Sequence, residues 1–182
     1  QEAPLPDRDA AWPWIRARLA ALRTRPEAAG NGLDAVVRTA VVTDSASALP
    51  AEWVSALSDH GVLTVIPMPV MIGEEIYGEG EDDISETIAL ALASGTSVKT
   101  SRPSPGQFEQ AYRAAQQRGF EAVVSVHISG ELSGTADAAR LAAGRVGIPV
   151  EVVDSLTVGM ALGMAVQAAV RTAASVSAAM PS

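Results

Sequence analysis

Four short apolar runs that do not alternate with polar residues constrain this chain most: Ala40-Val41-Val42-Thr43, then 62–69, 122–128 and 150–153. Unbroken Val/Ile-rich runs mark strands buried on both faces, the pattern of parallel sheets, whereas a half-solvated antiparallel strand alternates. Between and after them lie segments with helical periodicity, at 50–59, 84–93, 105–117, 133–145 and 157–174. Strand, loop and helix in repeated succession predict an α/β fold of three layers, a mostly parallel sheet flanked by helices. Ser104 followed by Pro105 predicts a capped helix start, because a Ser side chain accepts from the first-turn amides and Pro tolerates the first helical position.

Ahead of this pattern, residues 9–23 place Trp14, Ile15, Leu19 and Leu22 at helical spacing after a candidate N-cap at Asp9. An extra N-terminal helix is therefore expected, joined through Pro- and Gly-punctuated residues 25–32. This gives a division into 1–32, helix and linker, and 33–155, the α/β domain, followed by a C-terminal helical segment at 156–182. The total of 182 residues suits one domain with appendages. Aromatic residues are only 4% of the chain, so the expected core is Ala, Val, Leu, Ile and Met.

A formal charge of −8 is the wrong sign for a nucleic-acid surface. The absence of cysteine excludes disulfides and a thiol nucleophile and fits a reducing compartment, so the cytoplasm is the expected location. The most apolar stretch, 156–170, is short, Ala/Gly-rich and interrupted by Gln167, which predicts a packed helix and not a transmembrane segment.

The loops after the strands carry the chemistry. Asp44-Ser45 follows the first run, Ser129-Gly130-Glu131-Leu132-Ser133-Gly134-Thr135 the third, and Asp154-Ser155 the fourth. Ligands of open α/β sheets bind outside the carboxyl ends of the strands, near helix N-termini that favour anions. An anionic head group is the expected guest. Singly, such Asp, Ser and Gly residues are ordinary caps and turns; capping is the expected role of the Asp44 and Asp154 carboxylates.

Together they are specific. Thr43-Asp44-Ser45-Ala46-Ser47-Ala48-Leu49-Pro50 resembles the opening motif of the DegV family of bacterial lipid-binding proteins. The stretch from Val65-Ile66-Pro67-Met68-Pro69-Val70 through Ile76-Tyr77 to Asp82-Asp83-Ile84 resembles that family's next segment. Thr100-Ser101-Arg102-Pro103-Ser104-Pro105 resembles its TSQPS motif, with Arg102 where Gln is usual. Ile128-Ser129-Gly130-Glu131-Leu132-Ser133-Gly134-Thr135 and Val153-Asp154-Ser155 resemble its remaining two. The resemblance implies a protein without catalysis of its own. It binds a long-chain fatty acid and presents the carboxylate to a dihydroxyacetone-kinase-like fatty acid kinase subunit. It implies Thr100 and Ser129 as carboxylate-binding hydroxyls, with Ser101, Gly130 and Ser133 completing the site and Asp44, Ser45 and Arg102 beside it. The family usually has a second lobe after the last motif, so residues 156–182 are expected to be the start of a truncated or absent one. An apolar surface near Met160, Leu162 and Val166 is then expected to be left open and covered by the N-terminal helix or by a second copy in a homodimer.

Two rival readings are an esterase or acyltransferase using Ser129 or Ser133 with His127, and a structural module without ligand. The sequence offers His127 no evident orienting carboxylate and no nucleophile elbow. The carboxylates Glu74, Glu75, Glu79, Glu81, Asp82 and Asp83 miss the calcium-loop spacing, so no metal and no cofactor besides the fatty acid is expected. Gly159 and Gly163, four apart in the last helical segment, predict a face that packs closely.

Overall fold

The computed structural model describes residues 37–77 and 85–178, all within one compact unit, Val37–Ser182. The N-terminal helix expected at 9–23 and most of the acidic loop lie outside the described residues. In chain order the elements are β1 (Thr39–Asp44), a 3-10 turn (Ser45–Ser47), α1 (Ala51–Ser58), β2 (Leu63–Ile66), β3 (Val70–Ile72) and β4 (Glu75–Tyr77). There follow α2 (Ser85–Ala93), β5 (Val98–Thr100), α3 (Pro105–Gln117), β6 (Ala122–His127), α4 (Thr135–Ala143), β7 (Val150–Asp154) and α5 (Gly159–Ala178).

The main sheet has the order β2-β1-β6-β7, and every neighbouring pair is parallel. All six residues of β6 are buried, as a strand covered on both faces requires. On one face Ala40, Val42 and Val123 pack with Phe108 and Tyr112 of α3 and with Ala138, Ala139 and Ala142 of α4. On the other, α5 lies against β1 and β6. Its buried stripe of Leu162, Ala165, Val166, Ala169 and Val170 recurs at three- and four-residue spacing. The three layers are thus as the unalternating runs predict.

Leu162 and Val166, expected on an open apolar surface, are fully buried because they belong to the stripe facing the sheet; Met160 at 80% and Met164 at 43% exposure stand on the other side of α5. Phe108 and Tyr112 are among the largest fully buried side chains, so a chain poor in aromatics still spends two of them on its core. A second, antiparallel sheet of order β4-β3-β5 was not expected. Each of its strands has three residues, too few to show a period.

Two local features bear on the site. Ser104 caps α3 in a capping box with Gln107, with Pro105 opening the helix, as expected. At Gly163 a methyl group would stand 2.5 Å from the Ser47 carbonyl oxygen, so α5 approaches the turn after β1 as closely as it does because Gly163 has no side chain. Among the described residues no helix is long and apolar enough to cross a membrane.

Candidate ligand-binding site

Where β6 ends, three successive backbone amides are each tied to a different neighbour. Ile128 N–H donates to Asp44 Oδ2 at 3.0 Å, Ser129 N–H to the Thr157 carbonyl at 2.9 Å, and Gly130 N–H to Asp154 Oδ2 at 3.0 Å. A methyl on Gly130 would stand 2.6 Å from Asp154 Oδ2, which is why the chain can run so close to that carboxylate. Beyond this point the loop folds on itself. The Ser129 carbonyl accepts from Leu132 and Ser133, and the Ser133 and Thr135 hydroxyls are paired at 2.8 Å. Ser129 is buried, and among the described residues its Oγ accepts only the long 3.3 Å bond from Glu131 N–H.

Thr100 ends β5 and is exposed; Ser101 N–H donates to the Pro69 carbonyl at 2.8 Å, fixing the turn that follows. Two residues on, Arg102 lies over Gly134. A methyl there would stand 2.8 Å from Arg102 Nη1 and 3.2 Å from Cδ. This contact joins the Thr100–Pro105 motif to the Ser129–Thr135 loop. Arg102 makes no ion pair among the described residues, and no side chain caps the first turn of α4, which starts beneath it. A guanidinium beside uncapped helix-terminal amides and several hydroxyls suits a carboxylate. Ser45 reaches the same region, since its Oγ accepts from Met68 N–H at 3.0 Å, one residue before Pro69.

Asp44 faces the other way. Its carboxylate is fully buried and accepts from Ala46 N–H at 3.1 Å, from Ile128 N–H and from His127 Nδ1 at 2.9 Å. His127 Nε2 is 2.6 Å from Ser125 Oγ, which is 2.7 Å from the Tyr112 hydroxyl. His127 therefore does have an orienting carboxylate, Asp44, which the order of residues does not make evident. One residue beyond the register pair Thr43↔Val126, Asp44 and His127 end adjacent strands on the same face, a juxtaposition that only the strand register reveals. The series Ser125–His127–Asp44 has the connectivity of a hydrolytic triad. All three residues have 0% exposure, however, and the hydroxyl of Ser125 is covered by Tyr112, so no ester reaches it. Burial pushes the Tyr112 hydroxyl up to about 12, against the opposing effect of its bond to Ser125.

An open cleft of about 450 Å³ begins at Ser45 and runs along α1 and β2, walled by Ala48, Leu49, Val54 and Val65. Such a volume is within the range of small-molecule sites. Among the described residues no group of three or more His, Asp or Glu is placed to hold a metal ion.

A family profile described as an uncharacterised protein of the DegV family matches residues 38–177. A DegV domain-containing protein of Streptomyces coelicolor is 42% identical over 122 residues, 67% of this chain and 42% of that protein. One from Deinococcus radiodurans is 42% identical over 120 residues, 65% of this chain and 41% of that protein. Among solved structures, a Thermus thermophilus DegV family protein described as binding fatty acid superposes with a TM-score of 0.66 at 34% identity, covering 76% of this chain and 48% of that one. A Bacillus subtilis DegV described as a fatty acid binding protein gives 0.67 at 29%, with the same coverage. The chain thus spans less than half the length of these relatives. With a profile match across most of its length and the ordered motifs on the loops that follow the strands, this chain belongs to the DegV family.

Proposed function

We propose that this protein binds a long-chain fatty acid, holding the carboxylate between Thr100 and Ser129 with Arg102, Ser101 and Ser133 beside it. The observation that carries the reading is the seat of Arg102 on Gly134. It sets a cation with no ion-pair partner among the described residues over an uncapped helix start, between the two hydroxyl-bearing motifs. Relatives described as fatty acid binding support the ligand class. The cleft that starts at Ser45 takes the acyl tail. Its Ser45 end is linked through Met68 and Pro69 to Ser101, so head and tail sites adjoin. Burial of the tail supplies about 0.8 kcal/mol per methylene, and the hydroxyls supply orientation.

The exposed carboxylate end would be offered to a kinase subunit that uses ATP, in the cytoplasm, with the protein itself making and breaking no covalent bond. Mass spectrometry of an organic extract of the purified protein, followed by oleate titration, tests the reading. Thr100→Val and Ser129→Ala should each weaken binding by about 1.5–3 kcal/mol, the worth of a hydrogen bond to a charged group. Unchanged oleate affinity in the folded double variant would overturn it.

A further inference from the structure

We infer that His127 is a positioning residue for the carboxylate site, acting through Asp44 on the backbone from which Ser129 projects. The inference rests on the reading of Ser129 as a head-group hydroxyl.

The hydrogen bonds of the buried series run in one direction. An ionised Asp44 only accepts, so His127 Nδ1 carries the proton of the 2.9 Å bond. With the imidazole in that tautomer Nε2 accepts, Ser125 Oγ–H donates to it, and the Tyr112 hydroxyl donates to Ser125. Reversing the series would leave the fully buried Tyr112 proton without an acceptor among the described residues. The ring is also held sideways, since Phe108 meets it edge-on with centroids 5.0 Å apart. Tyr112 and Phe108 come from α3, Ser125 and His127 from β6, and Asp44 from β1, so three elements fix one carboxylate.

A buried carboxylate held by one partner could turn about its last bond. Here His127 takes one side of Oδ2, which leaves that oxygen aimed at Ile128 N–H and Oδ1 at Ala46 N–H. Ile128 is the residue before Ser129. Burying such a series gains little stability over an apolar filling, but a fully satisfied one specifies a single geometry. The geometry it specifies is that of the strand end bearing the ligand hydroxyl.

The test measures oleate affinity and the Ile128 amide resonance in the full chain and in Ser129→Ala, His127→Leu and His127→Asn. His127→Leu should lose about tenfold in affinity and shift the Ile128 amide. His127→Asn should restore most of both, because its side-chain N–H can stand where Nδ1–H stood. Asp44→Asn, close in shape, should reproduce the leucine phenotype and serves if His127→Leu does not fold. If Ser129→Ala weakens binding while His127→Leu or Asp44→Asn binds as the unaltered chain does, the positioning role is wrong and the head-group reading survives. If Ser129→Ala binds normally, the head-group reading falls and the positioning of the ligand hydroxyl falls with it. A loss in His127→Asn equal to that in His127→Leu would also overturn the inference, by showing that bulk and not the donor matters.

Discussion

Asp44 and Asp154 hold the exit of β6 from both sides in the same way. Each uses Oδ1 for the amide two residues further along its own loop, Ala46 or Leu156, and Oδ2 for an amide of the β6–α4 loop, Ile128 or Gly130. Asp44 thereby caps the 3-10 turn that follows it, as expected from the sequence, whereas Asp154 ties the Leu156 amide in a turn well ahead of α5, which begins at Gly159, and so caps no helix. Both also reach across to the loop that leaves the neighbouring strand. They differ in setting. Asp44 is fully buried and bonded to His127, whereas Asp154 is half-buried at the sheet edge strand β7.

Asp154→Ala should free the Gly130 and Leu156 amides and cost about 1–2 kcal/mol of stability. Asp44→Ala should cost more, because it also leaves a buried imidazole donor unpaired. Denaturant unfolding with hydrogen exchange at residues 128, 130 and 156 checks both. An equal or reversed order of the two losses would contradict the paired clamp.

The two glycines of α5 stand four residues apart, the spacing from which a close-packing face is expected, yet the structure gives them separate reasons. Gly163→Ala should cost about 1–3 kcal/mol, since its methyl meets the Ser47 carbonyl, which is backbone and yields poorly. Gly159 has open space around it but φ of +63°, so Gly159→Ala incurs only the left-handed conformation, about 1 kcal/mol. Urea midpoints of the two variants should therefore separate, with Gly163→Ala the lower.

Much of the layer structure was legible because burial on both faces leaves a direct mark on composition: β1, β6 and β7 stand where the unalternating runs lie. α3 begins at Pro105 and ends at Gln117 as its cap and periodicity predict. The small antiparallel sheet was illegible, since three-residue strands carry no pattern. The site was legible as loops but not as contacts. Nothing in the order of residues says that Arg102 rests on Gly134 or that Asp44 meets His127. The first is a contact between the loop after β5 and the residue that opens α4, and the second follows from the register of β1 against β6. The Asp44 carboxylate, named among the site residues from the motif it sits in, has both oxygens turned inward.

Tyr112 gives the fold a signature at high pH. Its hydroxyl ionises near 10.0 in the unfolded chain and at about 12 when folded, so the folded state retains the proton that the unfolded state loses. Its contribution is complete below about pH 10 and falls away as pH rises toward 12, by roughly 2–3 kcal/mol in all. Tyr112→Phe should lack this part of the slope and lose some stability at neutral pH, where Ser125 is left without its donor. Unfolding free energies measured between pH 8 and 12 that decline in parallel for the two proteins would refute the assignment.

The proposed division of the site into head and tail predicts two kinds of binding defect. Ser55 is exposed on α1 and lines the cleft, so Ser55→Trp should obstruct the acyl channel without opening the core. Its effect should grow with chain length, because each methylene kept from the cleft forfeits about 0.8 kcal/mol. Oleate should therefore suffer much more than octanoate. On the proposed reading Thr100→Val and Ser129→Ala remove head-group hydrogen bonds that every fatty acid would share, so they should weaken both acids by the same factor. Titrations of the two acids against these three variants separate the cases. A Ser55→Trp effect that is the same for both acids would place the tail outside the cleft, and a chain-length-dependent effect of Ser129→Ala would remove that hydroxyl from the head-group site.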